Sequence, residues 1–166
     1  MTPLRLKAAI GLGSNLGDRL GNLRHAVELL RQQGSILATS SVYETPPLGV
    51  ENQPRFLNAA LIMELEAPPS LLLSILKGIE KKIGRKKRKR WGPREIDLDL
   101  LLIPDLIYED ESLKIPHPEL ANRAFVLIPL AEIAPDWIHP VLGMKIGVLA
   151  EQYKEEAETF LRITRL

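Results

Sequence analysis

Residues 84–103, GRKKRKRWGPREIDLDLLLI, set six consecutive cations, Arg85 to Arg90, before a Trp-Gly-Pro-Arg turn and then three acids at alternate positions, Glu95, Asp97 and Asp99. Side chains alternate along a strand, so the three acids are expected on one face while Ile96, Leu98 and Leu100 turn to the core. Carboxylates stacked on a half-buried face repel one another unless a cation sits between them. Hard oxygen ligands of this kind suit Mg²⁺ shared with substrate phosphates. The basic run complements that chemistry, because Arg forks stabilise the phosphate charge that the metal leaves uncovered. Arg94 follows Gly-Pro, which fixes the chain, and lies three residues from Asp97, within reach of the same phosphates. The pattern alone leaves other readings open. The acids could decorate a solvated edge strand, D-x-D pairs also serve glycosyltransferases and polymerases, and the basic run could be a solvated loop, a localisation signal or a nucleic-acid patch.

Other chemistry-bearing residues are fewer. His25 falls inside an amphipathic helical pattern and His139 precedes Pro140, so both read as structural. His117 differs, since Arg123 and Phe125 follow it in IPHPELANRAF and the three could face one site. No Walker-type phosphate loop is present, GLGSNLG carries its last Gly one place too late for a dinucleotide fingerprint, and the protein-kinase motifs are missing. A phosphoryl-transfer site here has to be of another design.

The elements that would position these residues follow from periodicity. LKAAIGLGSN reads as a buried strand ending in a Gly-rich turn at Gly11, Gly13 and Asn15. From Asp18 the stripe Leu20, Leu23, Val27, Leu30 predicts a helix ending near Gly34. SILATSSVYET, stopped by Pro46-Pro47, and RFLNAALIMELE are β-rich runs expected to pair. Pro68-Pro69-Ser70 opens a second helix with the stripe Leu72, Ile75, Leu76, Ile79, Ile83, ended by Gly84, and REIDLDLLLI is the next strand. LIYEDESLKI reads as a short hairpin, 119–134 and 144–157 as short helical candidates, and the polar tail is left unassigned. The order strand, helix, strand, strand, helix, strand predicts an α+β, ferredoxin-like βαββαβ antiparallel sheet with its helices on one face and C-terminal additions. That leaves the opposite face for a site.

Composition bounds the class. A chain of 166 residues with 45% hydrophobic and 26% charged content suits a single domain over 1–166 with one core. No cysteine is present, which excludes disulfides, thiolate metal sites and a Cys nucleophile. Without an apolar run long enough to span a bilayer or a recognisable signal segment, a cytoplasmic location and no membrane partner are expected. A net charge of only +1 argues against general nucleic-acid binding. An RNA-recognition module shares the βαββαβ order, but acids on DLDLLL would repel phosphate unless a metal intervenes. A nucleotidyltransferase on a palm-like sheet is the enzyme alternative, separable by its release of pyrophosphate.

Taken together, GLGSNLGD, YETPPLG, FLNAA, RWGPREIDLDLLL and PHPELANRAFVLIPLAEIAP resemble the 6-hydroxymethyl-7,8-dihydropterin pyrophosphokinases of folate biosynthesis, over roughly residues 8–145. The resemblance implies transfer of pyrophosphate from ATP to the pterin hydroxymethyl oxygen with AMP as product, two Mg²⁺ ions, ATP as co-substrate and a monomer. By position it implies Asp97 and Asp99 as metal ligands and, with Arg85 and Arg94, the catalytic set. Thr45, Pro46, Leu48, Phe56, Asn58, Trp91 and Phe125 match the pterin pocket. Glu80, Arg85, Arg94, Leu100, His117 and Arg123 match positions near ATP, and some of Lys86 to Arg90 are expected to close over it as a cationic lid. Phe56 stands where Tyr is familiar, and Lys77, Ser112, Lys114 and Pro118 depart from the familiar residues near the nucleotide.

Overall fold

The computed structural model describes residues 5–46, 52–85 and 93–166. Its centre is the apolar strand β1 (Arg5–Ser14), flanked on both sides by antiparallel partners, β4 (Phe56–Glu66) and β5 (Asp97–Leu102). The sheet continues past β4 through β3 (Ser41–Thr45) to β8 (Leu161–Arg165), while β2 (Ser35–Thr39) also pairs with β4. The run SILATSSVYET pairs with RFLNAALIMELE as its pattern predicts, yet breaks into two strands at Ser40. There the Ser40 hydroxyl takes the Ala60 N–H at 2.8 Å and donates to the Ser41 carbonyl at 2.7 Å, in place of a regular ladder.

Helix α1 (Arg19–Arg31) starts where Asp18 accepts the Gly21 N–H at 3.0 Å, an N-cap that satisfies one of the free donors of the first turn. Helix α2 (Pro69–Ile83) begins on a proline and stops at Gly84, whose φ of 103° suits a residue without a Cβ. The Arg85 N–H then folds back onto the Glu80 carbonyl at 3.0 Å, and this closure aims Arg85 at the strand beside it. Leu23, Val27 and Leu30 of α1 and Leu72, Leu76 and Ile79 of α2 bury against one face of the sheet with Ile10, Leu61 and Leu98.

The opposite face is not left open along its whole length. A 3₁₀ turn (Leu120–Asn122), α3 (Ala124–Ile133) and α4 (Ile146–Glu151) cover part of it, with Leu127, Leu130, Ile146 and Leu149 packed on Ala9, Ala60 and Ile62. A short helix α5 (Lys154–Ala157) leads into β8. The hairpin forms as expected, from β6 (Tyr108–Glu109) and β7 (Lys114–Ile115), with Asp110 capping its turn. The unassigned tail supplies β8, the outermost strand. Among the described residues no helix is long and apolar enough to cross a membrane.

Candidate active site

Where α3 stops covering the sheet, a cavity of about 310 Å³ opens between β1, β3, β4, β5 and the start of α3. Its floor is decided by β1. Gly11 and Gly13 lie within the strand, not in a terminal turn as the sequence suggests. Gly13 pairs with Asn58 on one side and Asp97 on the other, and Gly11 with Ala60 and Asp99. A Cβ built on Gly13 would stand 2.9 Å from Asn58 Oδ1, so the missing side chain is what opens a trough between the two neighbouring strands.

One end of the trough is apolar. Phe56 and Phe125 line it with Pro46, and Asn58 donates from Nδ2 to Thr45 Oγ1 at 2.6 Å. That bond fixes the amide and leaves Asn58 Oδ1 as an acceptor over Gly13. Aromatic faces with an oriented amide suit a flat heteroaromatic ring with polar edges. The Arg123 guanidinium lies 5.8 Å from the Phe125 ring centroid, at the boundary with the charged end.

At that other end Lys77, Arg85, Arg94 and Arg123 surround Asp97 and Asp99. Arg85 Nη2 is 3.6 Å and Arg94 Nη1 3.9 Å from Asp97 Oδ1. Asp99 makes no ion pair among the described residues, and its burial, followed by the charges of Asp97 and Glu80, pushes its carboxyl up to about 7. A carboxylate pair of which Asp99 makes no ion pair among the described residues fits a hard divalent cation. No cluster of three or more metal-ligating side chains occurs among the described residues. Glu95 precedes the strand: β5 begins at Asp97, and the backbone carbonyl of Glu95 is held by Asn22 Nδ2 at 3.0 Å.

Three residues placed near ATP by resemblance stand apart from this cavity. Glu80 is only 3% exposed and accepts from the Leu98 N–H and from Arg85, both at 2.9 Å. It ties α2 to the backbone between the two aspartates, so its influence on a ligand would run through them. The Leu100 side chain points into the α1–α2 core. His117 lines an adjoining 290 Å³ cavity with Tyr108, Lys114 and His139. Burial, then the Arg123 charge, lowers its pKa, and its Nδ1 accepts the Glu119 N–H at 3.1 Å, leaving Nε2 to carry the proton of the neutral ring. His139 is buried and accepts the Leu142 N–H at 3.1 Å, a structural role as expected. Leu48, Trp91 and Lys86 to Arg90 lie outside the described residues.

Sequence reasoning passed over Asn15. It is fully buried, takes the Arg94 N–H on Oδ1 at 2.7 Å, and donates from Nδ2 to Gln53 Oε1 at 2.8 Å and the Pro54 carbonyl at 3.0 Å. One amide thereby fixes both the chain leading to Phe56 and the segment carrying Arg94. The available signal was GSN itself: an Asn after a buried strand, with more hydrogen-bonding capacity than a turn uses.

The family model described as 7,8-dihydro-6-hydroxymethylpterin-pyrophosphokinase (HPPK) matches residues 9–135. The chain is 46% identical over 132 residues to the 2-amino-4-hydroxy-6-hydroxymethyldihydropteridine pyrophosphokinase of Aquifex aeolicus, covering 80% of this chain and 82% of that one. With the protein of the same name from Bacillus subtilis it shares 48% over 128 residues, 76% of this chain and 77% of that one. Among solved structures, wild-type Plasmodium falciparum HPPK-DHPS with pteroate shares the fold at a TM-score of 0.73 and 18% identity, over 96% of this chain and 44% of that longer one. With a matched core that holds the glycine trough, the aspartate pair and both ends of the cavity, the chain belongs to the 7,8-dihydro-6-hydroxymethylpterin-pyrophosphokinase family.

Proposed function

We propose that this protein transfers the pyrophosphoryl group of ATP to the hydroxymethyl oxygen of 6-hydroxymethyl-7,8-dihydropterin, giving the pterin diphosphate and AMP for folate synthesis. The observation that carries the reading is the continuity of one cavity from the Phe56–Asn58–Phe125 end to the Asp97–Asp99 pair. A ring held at the first end presents its hydroxymethyl group toward phosphates held at the second. The pterin oxygen attacks the β-phosphorus, the bond between that phosphorus and the α–β bridging oxygen breaks, and its electron pair leaves with AMP. The hydroxyl proton passes to solvent.

In this reading Phe56 and Phe125 stack the ring, while Asn58 and Thr45, with Pro46, set its edge; the roles of Leu48 and Trp91 rest on the family resemblance alone. Asp97 and Asp99 would hold two magnesium ions, whose chemistry would be to neutralise phosphate charge and make the β-phosphorus electrophilic. Arg85 and Arg94 hold phosphate oxygens and stabilise the charge that develops during transfer, with Arg123 and a donating His117 Nε2 as further ATP contacts. Glu80 acts by holding Arg85 and β5, and Leu100 serves through its backbone. The continuous sheet supports a single domain over 1–166, and a monomer is part of the same reading. A cytoplasmic setting, where ATP is available, belongs to the same reading.

Incubating the protein with ATP, magnesium and the hydroxymethyl-dihydropterin, then identifying both products, tests it. Pterin diphosphate with AMP is the expected pair. Release of free pyrophosphate, or of ADP, overturns it.

A further inference from the structure

Along β3, Ser41, Tyr43 and Thr45 occupy alternate positions and so share one face of the sheet. Thr45 belongs to the cavity. The other two meet Glu132 of α3: its carboxylate accepts the Ser41 N–H at 2.8 Å, the Ser41 hydroxyl at 2.8 Å and the Tyr43 hydroxyl at 2.9 Å. Burial pushes the Glu132 carboxyl up, but these donors outweigh it and hold it below the usual range. Arg162 of β8 completes the chain, donating to the Tyr43 hydroxyl at 3.1 Å with its guanidinium 5.4 Å from the ring centroid. The Tyr43 hydroxyl thus accepts from Arg162 and donates to Glu132.

Helix α3 repeats the arrangement of the strand. Phe125 and Glu132 are seven residues apart, about two turns, and therefore lie on the same helix face. Pro129 sits between them and has no N–H for the Phe125 carbonyl four residues earlier, so the helix ladder holds the Phe125 turn less firmly than usual. One strand and one helix thus each carry a cavity residue and, further along, a residue of the same hydrogen-bonded cluster. Their separation at the cluster sets their separation at the cavity.

We propose that Glu132, with Tyr43 and Arg162, is a positioning cluster that fixes the gap between Phe125 and the Thr45–Asn58 pair, and so governs ring affinity without touching the ligand. The inference rests on the pterin-slot reading above. It also gives the C-terminal strand a part in substrate selection, although β8 lies beyond residues 9–135 matched by the family model.

The test uses the full chain with Glu132→Ala, Glu132→Gln, Tyr43→Phe and Arg162→Gln, measuring KM for each substrate and kcat. In Glu132→Ala the pterin KM should rise roughly fivefold to tenfold, the ATP KM should stay within about twofold, and Glu132→Gln should recover part of the loss because it keeps an acceptor for Ser41. If Glu132→Ala does not fold, Tyr43→Phe and Arg162→Gln decide, since both keep the strand pairing and should raise the pterin KM selectively. Unchanged pterin KM in the folded variants, or an equal rise for both substrates, overturns the cluster while leaving the transfer reading intact. A wild-type protein that does not turn over the pterin overturns the transfer reading, and the cluster's role with it.

Discussion

At the apolar end of the cavity the polar groups are oriented in advance, with Asn58 Nδ2 bonded to Thr45 and its Oδ1 held as an acceptor, beside Phe56 of β4 and Phe125 of α3. At the charged end the balance is the reverse. Asp99 faces Asp97 with no ion pair among the described residues, four cations crowd the rim, and the buried Glu80 is committed to Arg85 and the β5 backbone. The first end is organised before a ligand arrives; the second leaves Asp99, among the described residues, without the ion pair that a bound cation would supply. Pre-matched groups add selectivity at little cost to stability, whereas uncompensated charge lowers stability and gives binding energy to whatever neutralises it.

The sharpest way to break that contrast is Asp99→Asn. Transfer should fall about a hundredfold or more, because a ligand for charge at the reacting phosphates is lost. The fold should gain. The Asp99 carboxyl titrates near 7 when folded and near the ordinary 3.8 when unfolded, so the folded state binds more protons between those values. Its contribution is full below about pH 4 and is lost as pH rises through about 7. Wild-type protein in chelator should therefore weaken between pH 5 and pH 8, and Asp99→Asn should flatten that slope and add roughly 2 kcal/mol at pH 8. Denaturant titrations at the two pH values read it; parallel slopes would show Asp99 to be compensated already.

Asn15→Ala probes the link between the ends. Leaving the Arg94 N–H without its acceptor should cost about 2–3 kcal/mol of stability and slow transfer roughly tenfold. Thermal unfolding with single-turnover rates separates the two effects, and a rate unchanged in a destabilised protein would make Asn15 structural only.

Phe125→Ala should act at the apolar end alone. Loss of a stacking wall is worth about 1 kcal/mol or somewhat more, so ring affinity should fall several-fold to tenfold with ATP affinity preserved. Calorimetric titration with each substrate checks it, and equal losses would argue against two distinct ends.

Gly13→Ala is expected to give the smallest change. The new methyl needs Asn58 Oδ1 to move back by several tenths of an ångström, which should weaken ring binding about threefold and leave metal-dependent ATP binding alone. A larger effect on ATP would mean that the trough wall at Asp97 had shifted instead.

Much of this molecule was legible in one dimension. The period of Leu72, Leu76 and Ile79 defined α2, the proline and glycine at its ends bounded it, and Asp97–Asp99 announced charge that needed a partner. Local rules suffice there because a repeat of two or 3.6 residues records which side is buried. The family resemblance added residue roles that no period carries, and the cavity gathers Thr45, Phe56, Asn58, Arg85, Arg94 and Phe125 from well-separated parts of the chain.

Other features had no local signature. Gly11 and Gly13 looked like a turn because glycine usually punctuates, and only the strands on both sides show that they are gaps in a floor. Glu95 fitted the alternation of DLD, but Asn22 holds its carbonyl before the strand begins. Asn15 and Glu132 act through partners distant in sequence, 79 residues away for Asn15 and Arg94 and 91 for Ser41 and Glu132. A side chain's hydrogen-bond capacity is written in the sequence. Which distant backbone group uses it is fixed when the sheet forms and α3 packs on it, because burial then requires each donor and acceptor to find a partner already in place.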